Sequence, residues 1–130
     1  MENCIFCKIS NKEIPCSKIF EDENFISFLD IKPVSDGHLL IIPKKHVVWM
    51  QEAEDAIVGD IFKIAKKLML ALKRGLGCDY VQVSVVGNEV PHFHVHLIPR
   101  HYGDHFKNFP TKEFDQEKNN EILKKITEAI

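Results

Sequence analysis

The segment Pro91-His92-Phe93-His94-Val95-His96-Leu97-Ile98-Pro99 decides the reading of this chain. It predicts a strand between two prolines. Successive side chains of a strand point to opposite faces. His92, His94 and His96 therefore share one face, while Phe93, Val95 and Leu97 share the other and pack on a core. The imidazoles stand ~6.5–7 Å apart along their face. Three partly exposed surface histidines are the plain structural reading, but chance seldom sets three of the chain's seven histidines in strict alternation. Two chemical readings compete with it. Either the histidines ligate one catalytic metal with help from elsewhere, or one is a nucleophile whose neighbours orient it and stabilise charge, since imidazole is neutral and nucleophilic near pH 7.

Outward from this segment the chain reads as strands, one long helix, two strands and a terminal helix. Lys18–Glu21 and Phe25–Leu29 are short strands around the polar Asp22-Glu23-Asn24. Residues 32–37 have loop chemistry, with Pro33 and the pair Asp36-Gly37. His38–Ile42 is a nearly continuous apolar run, as in a central strand, and Pro43 ends it. From Glu52 to Leu76, Ala53, Ala56, Ile57, Ile61, Ile64, Ala65, Leu68 and Leu72 recur at helical spacing, and Gly75 and Gly77 supply the stop. Tyr80–Val86 alternates as a strand, and His92–Pro99 follows as another. Residues 104–111 are loop-like, and Glu117–Ile130 is a helix with Ile122, Leu123, Ile126 and Ala129 on one side. Strands joined by short turns pair antiparallel, so the expected class is α+β rather than alternating βαβ.

With 130 residues, the chain suits one domain spanning 1–130. Hydrophobic residues make up 45% and charged residues 28%, ordinary values for a globular protein, and the formal charge of −2 leaves no basic field for a nucleic acid polymer. No apolar run approaches the ~20 residues of a membrane span, and the first ten residues do not have the layout of a signal peptide. A cytoplasmic protein with reduced cysteines is the expectation.

The segment His92–Ile98 matches the His-φ-His-φ-His-φ-φ signature of the histidine triad (HIT) superfamily, where φ is apolar. Cys4-Ile5-Phe6-Cys7-Lys8-Ile9 resembles the start of many bacterial members. Residues 28–33 and 37–46 resemble the family's central strands, and Leu97-Ile98-Pro99-Arg100 follows as it often does there. The resemblance runs over about residues 4–105, in the family's order. It implies a HIT-like fold: an antiparallel sheet of about five strands with a long helix and a C-terminal helix. It also implies a homodimer formed through the long helix and a sheet edge.

The resemblance further implies hydrolysis or transfer at the α-phosphate of a purine nucleotide derivative, such as an adenosine phosphoramidate or a dinucleoside polyphosphate. By matching position His94 is the nucleophile that forms a nucleotidyl-histidine intermediate. His96 donates to a phosphate oxygen, and His92 acts from behind or as a metal ligand. Asp30 accepts from the ribose hydroxyls; its plainer reading is a strand-end cap. Ile5, Phe6, Ile9, Phe28 and Ile31 match positions that cradle the base. The loop Gly87–Pro91 departs from the family in lacking a Gly-Gln-Ser element, so Asn88 is its candidate phosphate contact. The alternative from another class is a low-turnover nucleotide-binding sensor or partner module.

Cys4-x-x-Cys7 alone reads equally as two small buried residues, and no βαβ unit supports a thioredoxin-like pair. The resemblance implies one structural zinc per chain, held by Cys4, Cys7, His46 and His92. Cys16 and Cys78 read as structural, and His38, His101 and His105 carry no assignment.

Overall fold

A computed structural model describes residues 3–104 and 111–130 of the chain. His105 and most of the expected loop, residues 105–110, lie outside the described residues. The elements in chain order are α1 (Ile5–Ser10), β1 (Lys18–Glu21), β2 (Phe25–Leu29), β3 (Leu39–Pro43), a 3-10 turn (Met50–Glu52), α2 (Asp55–Leu76), β4 (Tyr80–Ser84), β5 (Val95–Arg100) and α3 (Gln116–Ala129). The five strands form one antiparallel sheet in the order β1-β2-β3-β5-β4. The fold is α+β, as expected. Among the described residues no helix is long and apolar enough to cross a membrane.

Alternation divides the sheet into two buried faces. Phe25, Leu29, Leu39, Ile41, Val95 and Leu97 pack under α2 and α3, against Ile61, Leu68, Leu72, Ile122 and Ile126. Ile26, Phe28, Leu40 and Ile42 point the other way and are covered by α1 through Phe6 and Ile9. A helix of six residues cannot cover a five-stranded face, and the uncovered part is where the histidines emerge. The register sets Leu40 opposite His96, which places that ring on the α1 face.

Local chemistry explains most boundaries. Asp22 Oδ1 accepts from the amides of Asn24 and Phe25 at 2.9 and 2.8 Å, closing the β1–β2 turn. Five expectations need correction. The strand expected over Tyr80–Val86 ends at Ser84. The long helix begins at Asp55, because the Ala53 amide bonds back to Met50 in a 3-10 turn and Glu54 keeps an extended backbone at the N-cap. Ala56, on the first turn, is exposed. Only Gly77 ends the helix, with φ +67 and its amide on the Lys73 carbonyl, while Gly75 lies inside it. The strand β5 begins at Val95 rather than His92. The His92 amide turns back to the Val90 carbonyl, and the Phe93 amide bonds the Val47 carbonyl at 2.6 Å, so this stretch is tied to the segment after β3 and not to a neighbouring ladder. The α1 helix was not expected from sequence at all.

Gly75 is required by contact. A Cβ there would lie 2.5 Å from the carbonyl oxygen of Lys125 in α3. Gly75→Ala is expected to push α3 off α2 and to destabilise the fold by about 1–3 kcal/mol, despite the better helix propensity of alanine. A thermal melt at or above the parent's would show that the two helices do not need this close approach.

Candidate functional site

The proton positions in the histidine cluster follow from backbone groups. A neutral imidazole has one proton for two nitrogens, so the partner of one nitrogen fixes the state of the other. His94 Nδ1 lies 2.7 Å from the carbonyl oxygen of His92, which can only accept. His94 therefore carries its proton on Nδ1 and keeps a lone pair on Nε2. The Val34 amide donates to His38 Nδ1 at 3.0 Å, which puts the proton of His38 on Nε2. That N–H faces His96 Nδ1 at 2.9 Å and donates to it. His96 in turn carries its own proton on Nε2. His94 and His96 thus pack edge to face, 4.9 Å between centroids, with opposite tautomers. One offers a lone pair and the other an N–H.

Both rings border a cavity of about 660 Å³, within the ~300–1,000 Å³ usual for small-molecule sites. Phe28, Leu40 and Ile98 of the sheet face, Ile5, Phe6 and Ile9 of α1, and residues 86–90 line it. Asp30, just past β2, stands on its rim. Its Oδ1 accepts from the Lys32 amide at 2.8 Å, and Oδ2 lies 3.6 Å from His38 Nε2. Burial lifts the Asp30 carboxyl above its ordinary range, against the lowering effect of the Lys32 amide. Burial also pushes His38 and His96 down to about 4, so both rings are neutral at pH 7.

Behind the cavity lies a second cluster. The donor atoms of Cys4, Cys7, His46 and His92 all lie within 4.8 Å of one another. Cys4 Sγ is 3.3 Å from His92 Nδ1, and Cys7 Sγ is 3.2 Å from His46 Nδ1 and 3.5 Å from His92 Nδ1. A tetrahedral ion with bonds of about 2.3 Å to sulfur and about 2.0–2.1 Å to nitrogen has S···N edges of about 3.6 Å, so the set closes around one point with small shifts. The tautomer agrees. His92 Nε2 donates to the Pro43 carbonyl at 2.8 Å, leaving the Nδ1 lone pair facing the thiols. Asp30, His38 and His96 also bring ligand-type atoms together. There the Val34 amide forces the proton onto His38 Nε2, the atom a metal would need, so this group shares protons instead of holding an ion.

Comparison with protein families matches residues 11–103 to the HIT domain. The chain belongs to the HIT family. It is 41% identical over 131 residues to an uncharacterised HIT-like protein of Methanocaldococcus jannaschii, covering 95% of this chain and 98% of that one. It is also 41% identical over 102 residues to an adenosine 5′-monophosphoramidase of Saccharomyces cerevisiae, covering 75% of this chain and 62% of the yeast protein. The crystal structure of a Zn-bound histidine triad family protein from Mycobacterium smegmatis superposes with a TM-score of 0.84 at 28% identity, covering 98% of this chain and 95% of that one.

Against the HIT expectations, the structure brings Ile5, Phe6, Ile9, Phe28, Asp30, Ile31, Asn88, His94 and His96 around one cavity. Ile31 is 66% exposed, so it borders the mouth more than it walls the interior. His92 is fully buried and does not line the cavity; it belongs to the thiol cluster. Phe6 separates the two, edge to face with both His92 and His94. Sequence reasoning left His38 unassigned. The signal was its place two residues before Leu40, on the face that the register gives to His96.

The neutral rings make stability depend on pH. His38 and His96 protonate near ~6.5 in the unfolded chain, but only near about 4 when folded. Each stabilises the fold above pH ~6.5 and loses that contribution as pH falls towards 4, by up to about 1.4 kcal/mol per pH unit. Melting temperatures are expected to fall over this window, with a shallower slope in His38→Gln, whose amide does not titrate. Equal slopes in the two proteins would show that burial of His38 is not what the acid breaks.

Proposed function

We propose that this HIT protein cleaves the bond between the α-phosphorus of a purine nucleotide derivative and its leaving group, with an adenosine phosphoramidate as the favoured substrate class and a dinucleoside polyphosphate as the next. What supports this reading above all is the proton placement. His94 Nε2 has a lone pair, His96 Nε2 has a hydrogen, and both rings border the same cavity. The name of the yeast relative supports the phosphoramidate class.

In this reading the base lies between Ile5, Phe6, Ile9, Phe28 and Ile31, and the ribose hydroxyls donate to Asp30. Asn88, on the loop before the triad, meets the phosphates. His94 Nε2 attacks the α-phosphorus, and the P–N bond to the ring forms as the bond to the leaving group breaks; the amine departs with a proton taken from solvent at the open mouth of the cavity, and the later hydrolysis returns one proton to solvent. The ring becomes cationic, and its Nδ1–H on the His92 carbonyl carries part of that charge. His96 Nε2–H donates to a phosphate oxygen and offsets the negative charge that builds in transfer. Neutral His96 in this tautomer is a hydrogen-bond donor and not a proton source, since losing Nε2–H would leave an imidazolate. Water then cleaves the nucleotidyl-histidine and restores the lone pair of His94.

The reading includes a zinc ion held by Cys4, Cys7, His46 and His92. A closed four-ligand ion supplies a structural brace and no open position for chemistry. Burial pushes the Cys7 thiol up to about 11, with Cys4 adding to the effect, so an ion bound there would displace the Cys7 proton into solvent and binding releases acid. A homodimer also belongs to the reading. β4 is an edge strand, and it and α2 leave Tyr80, Val83 and Leu70 exposed.

His94→Asn is expected to keep nucleotide binding and fold while removing turnover of a fluorogenic adenosine phosphoramidate by more than about a thousandfold, because an amide cannot form the adduct. Turnover within tenfold of the parent's would remove His94 from the nucleophile's role. A parent that binds adenosine monophosphate and turns over no such substrate would instead be a binding module. Metal analysis of zinc-replete protein is expected to find one zinc per chain and a loss of it in Cys4→Ser; zinc-free parent protein, or unchanged content in the variant, would overturn the assignment.

A further inference from the structure

We propose that His92 couples the Cys/His metal cluster to the nucleophile, so that a bound metal locks in place the His92 carbonyl that selects the orientation and tautomer of His94, and with them kcat. The inference rests on the reading of His94 as nucleophile and of the cluster as a zinc site, and goes beyond both. His92 uses three groups in three directions. Its Nδ1 faces the thiols, its Nε2–H binds the Pro43 carbonyl, and its own carbonyl takes the Nδ1–H of His94. The peptide unit joining His92 to Phe93 lies outside the sheet ladder, because β5 begins only at Val95. Two hydrogen bonds hold its plane. The carbonyl side is bound by His94 at 2.7 Å, and the amide side binds the Val47 carbonyl at 2.6 Å.

Val47 follows His46, another member of the cluster. A metal bridging His46 and His92 therefore closes a ring of contacts: His46, Val47, the Val47···Phe93 hydrogen bond, His92 and the ion. The peptide unit that faces His94 is a link in that ring. Without the ion, the segment after β3 and the segment before β5 are joined by the His92–Pro43 and Phe93–Val47 hydrogen bonds, and the carbonyl direction is less constrained. His92 is thus a positioning residue that touches no substrate.

The experiment follows the His94 ring nitrogens by ¹⁵N NMR, which separates protonated from unprotonated nitrogens, in zinc-loaded, chelator-stripped and cadmium-substituted full-length protein. Cadmium has longer bonds and keeps the fold filled, so the comparison survives if stripped protein unfolds. Turnover of the phosphoramidate and binding of adenosine monophosphate are measured on the same samples. In the zinc form, His94 is expected to hold one tautomer with Nδ1 protonated. Stripping or cadmium is expected to mix the tautomers and lower kcat by about ten- to a hundredfold, as small misplacements of a reacting group do. In the cadmium form the nucleotide Kd is expected to stay within about threefold, because all four ligands still hold α1 and its side of the cavity wall. Cys7→His, which keeps four ligands, is expected to restore the single tautomer when zinc is added. His94 signals and kcat that are the same in the zinc, cadmium and stripped forms would overturn the coupling. The two readings fail differently. A zinc-loaded protein with no turnover, whose His94 signals still answer to the metal, removes the nucleophile reading and leaves the coupling. An active protein indifferent to its metal does the reverse.

Discussion

A neutral imidazole has a single proton to place, and in this site the backbone places it. The Val34 amide, the His92 carbonyl and the Pro43 carbonyl each fix one ring. From these the states of His38, His92, His94 and His96 follow without reference to any ligand. Main-chain groups suit the task because they do not titrate and do not change rotamer. The same hydrogen bonds serve two chemistries side by side. They leave a lone pair directed at thiols in one place and a lone pair beside an N–H in another. Reversing any one of them would require a second ring or a backbone segment to move.

The sheet makes this arrangement affordable through asymmetry. One face is sealed by α2 and α3 over a continuous apolar core. The other has α1 alone, and the histidines occupy what that helix cannot cover. Burial on this side is enough to keep His38 and His96 neutral, while the open remainder admits a small molecule. Phe6 divides that side into a compartment holding the sulfurs and another holding the cavity.

Much of this was legible in the sequence, and the parts that were not share a cause. The alternation of His92–Leu97 puts Phe93, Val95 and Leu97 in the core under α2 and α3 and His94 and His96 on the cavity, although ladder pairing begins only at Val95. β1 and β2 match their expected bounds, since turn chemistry at Asp22 marks them. The start of β5 was misplaced because the partner of the Phe93 amide, Val47, is remote in sequence and leaves no periodic trace. His38 has the same difficulty: its meaning depends on the Val34 amide and on a ring 58 residues away. The α1 helix leaves no signal in the sequence, because six residues are too few for a helical period to register.

The construction of α1 has its own consequence. Its N-cap is Cys4, whose sulfur accepts the Cys7 amide at 3.4 Å and also faces His92. A six-residue helix is far below the ~12–15 residues at which helices become even marginal alone. It borrows its order from the sulfur cluster at its start and from the sheet beneath Phe6 and Ile9. Of the two layers that clasp the sheet, this is the one that can open without dissolving the other. The wall against which a base would rest is therefore held by the sulfur cluster and the sheet and not by the helix's own propensity, so whatever loosens that cluster loosens the wall with it.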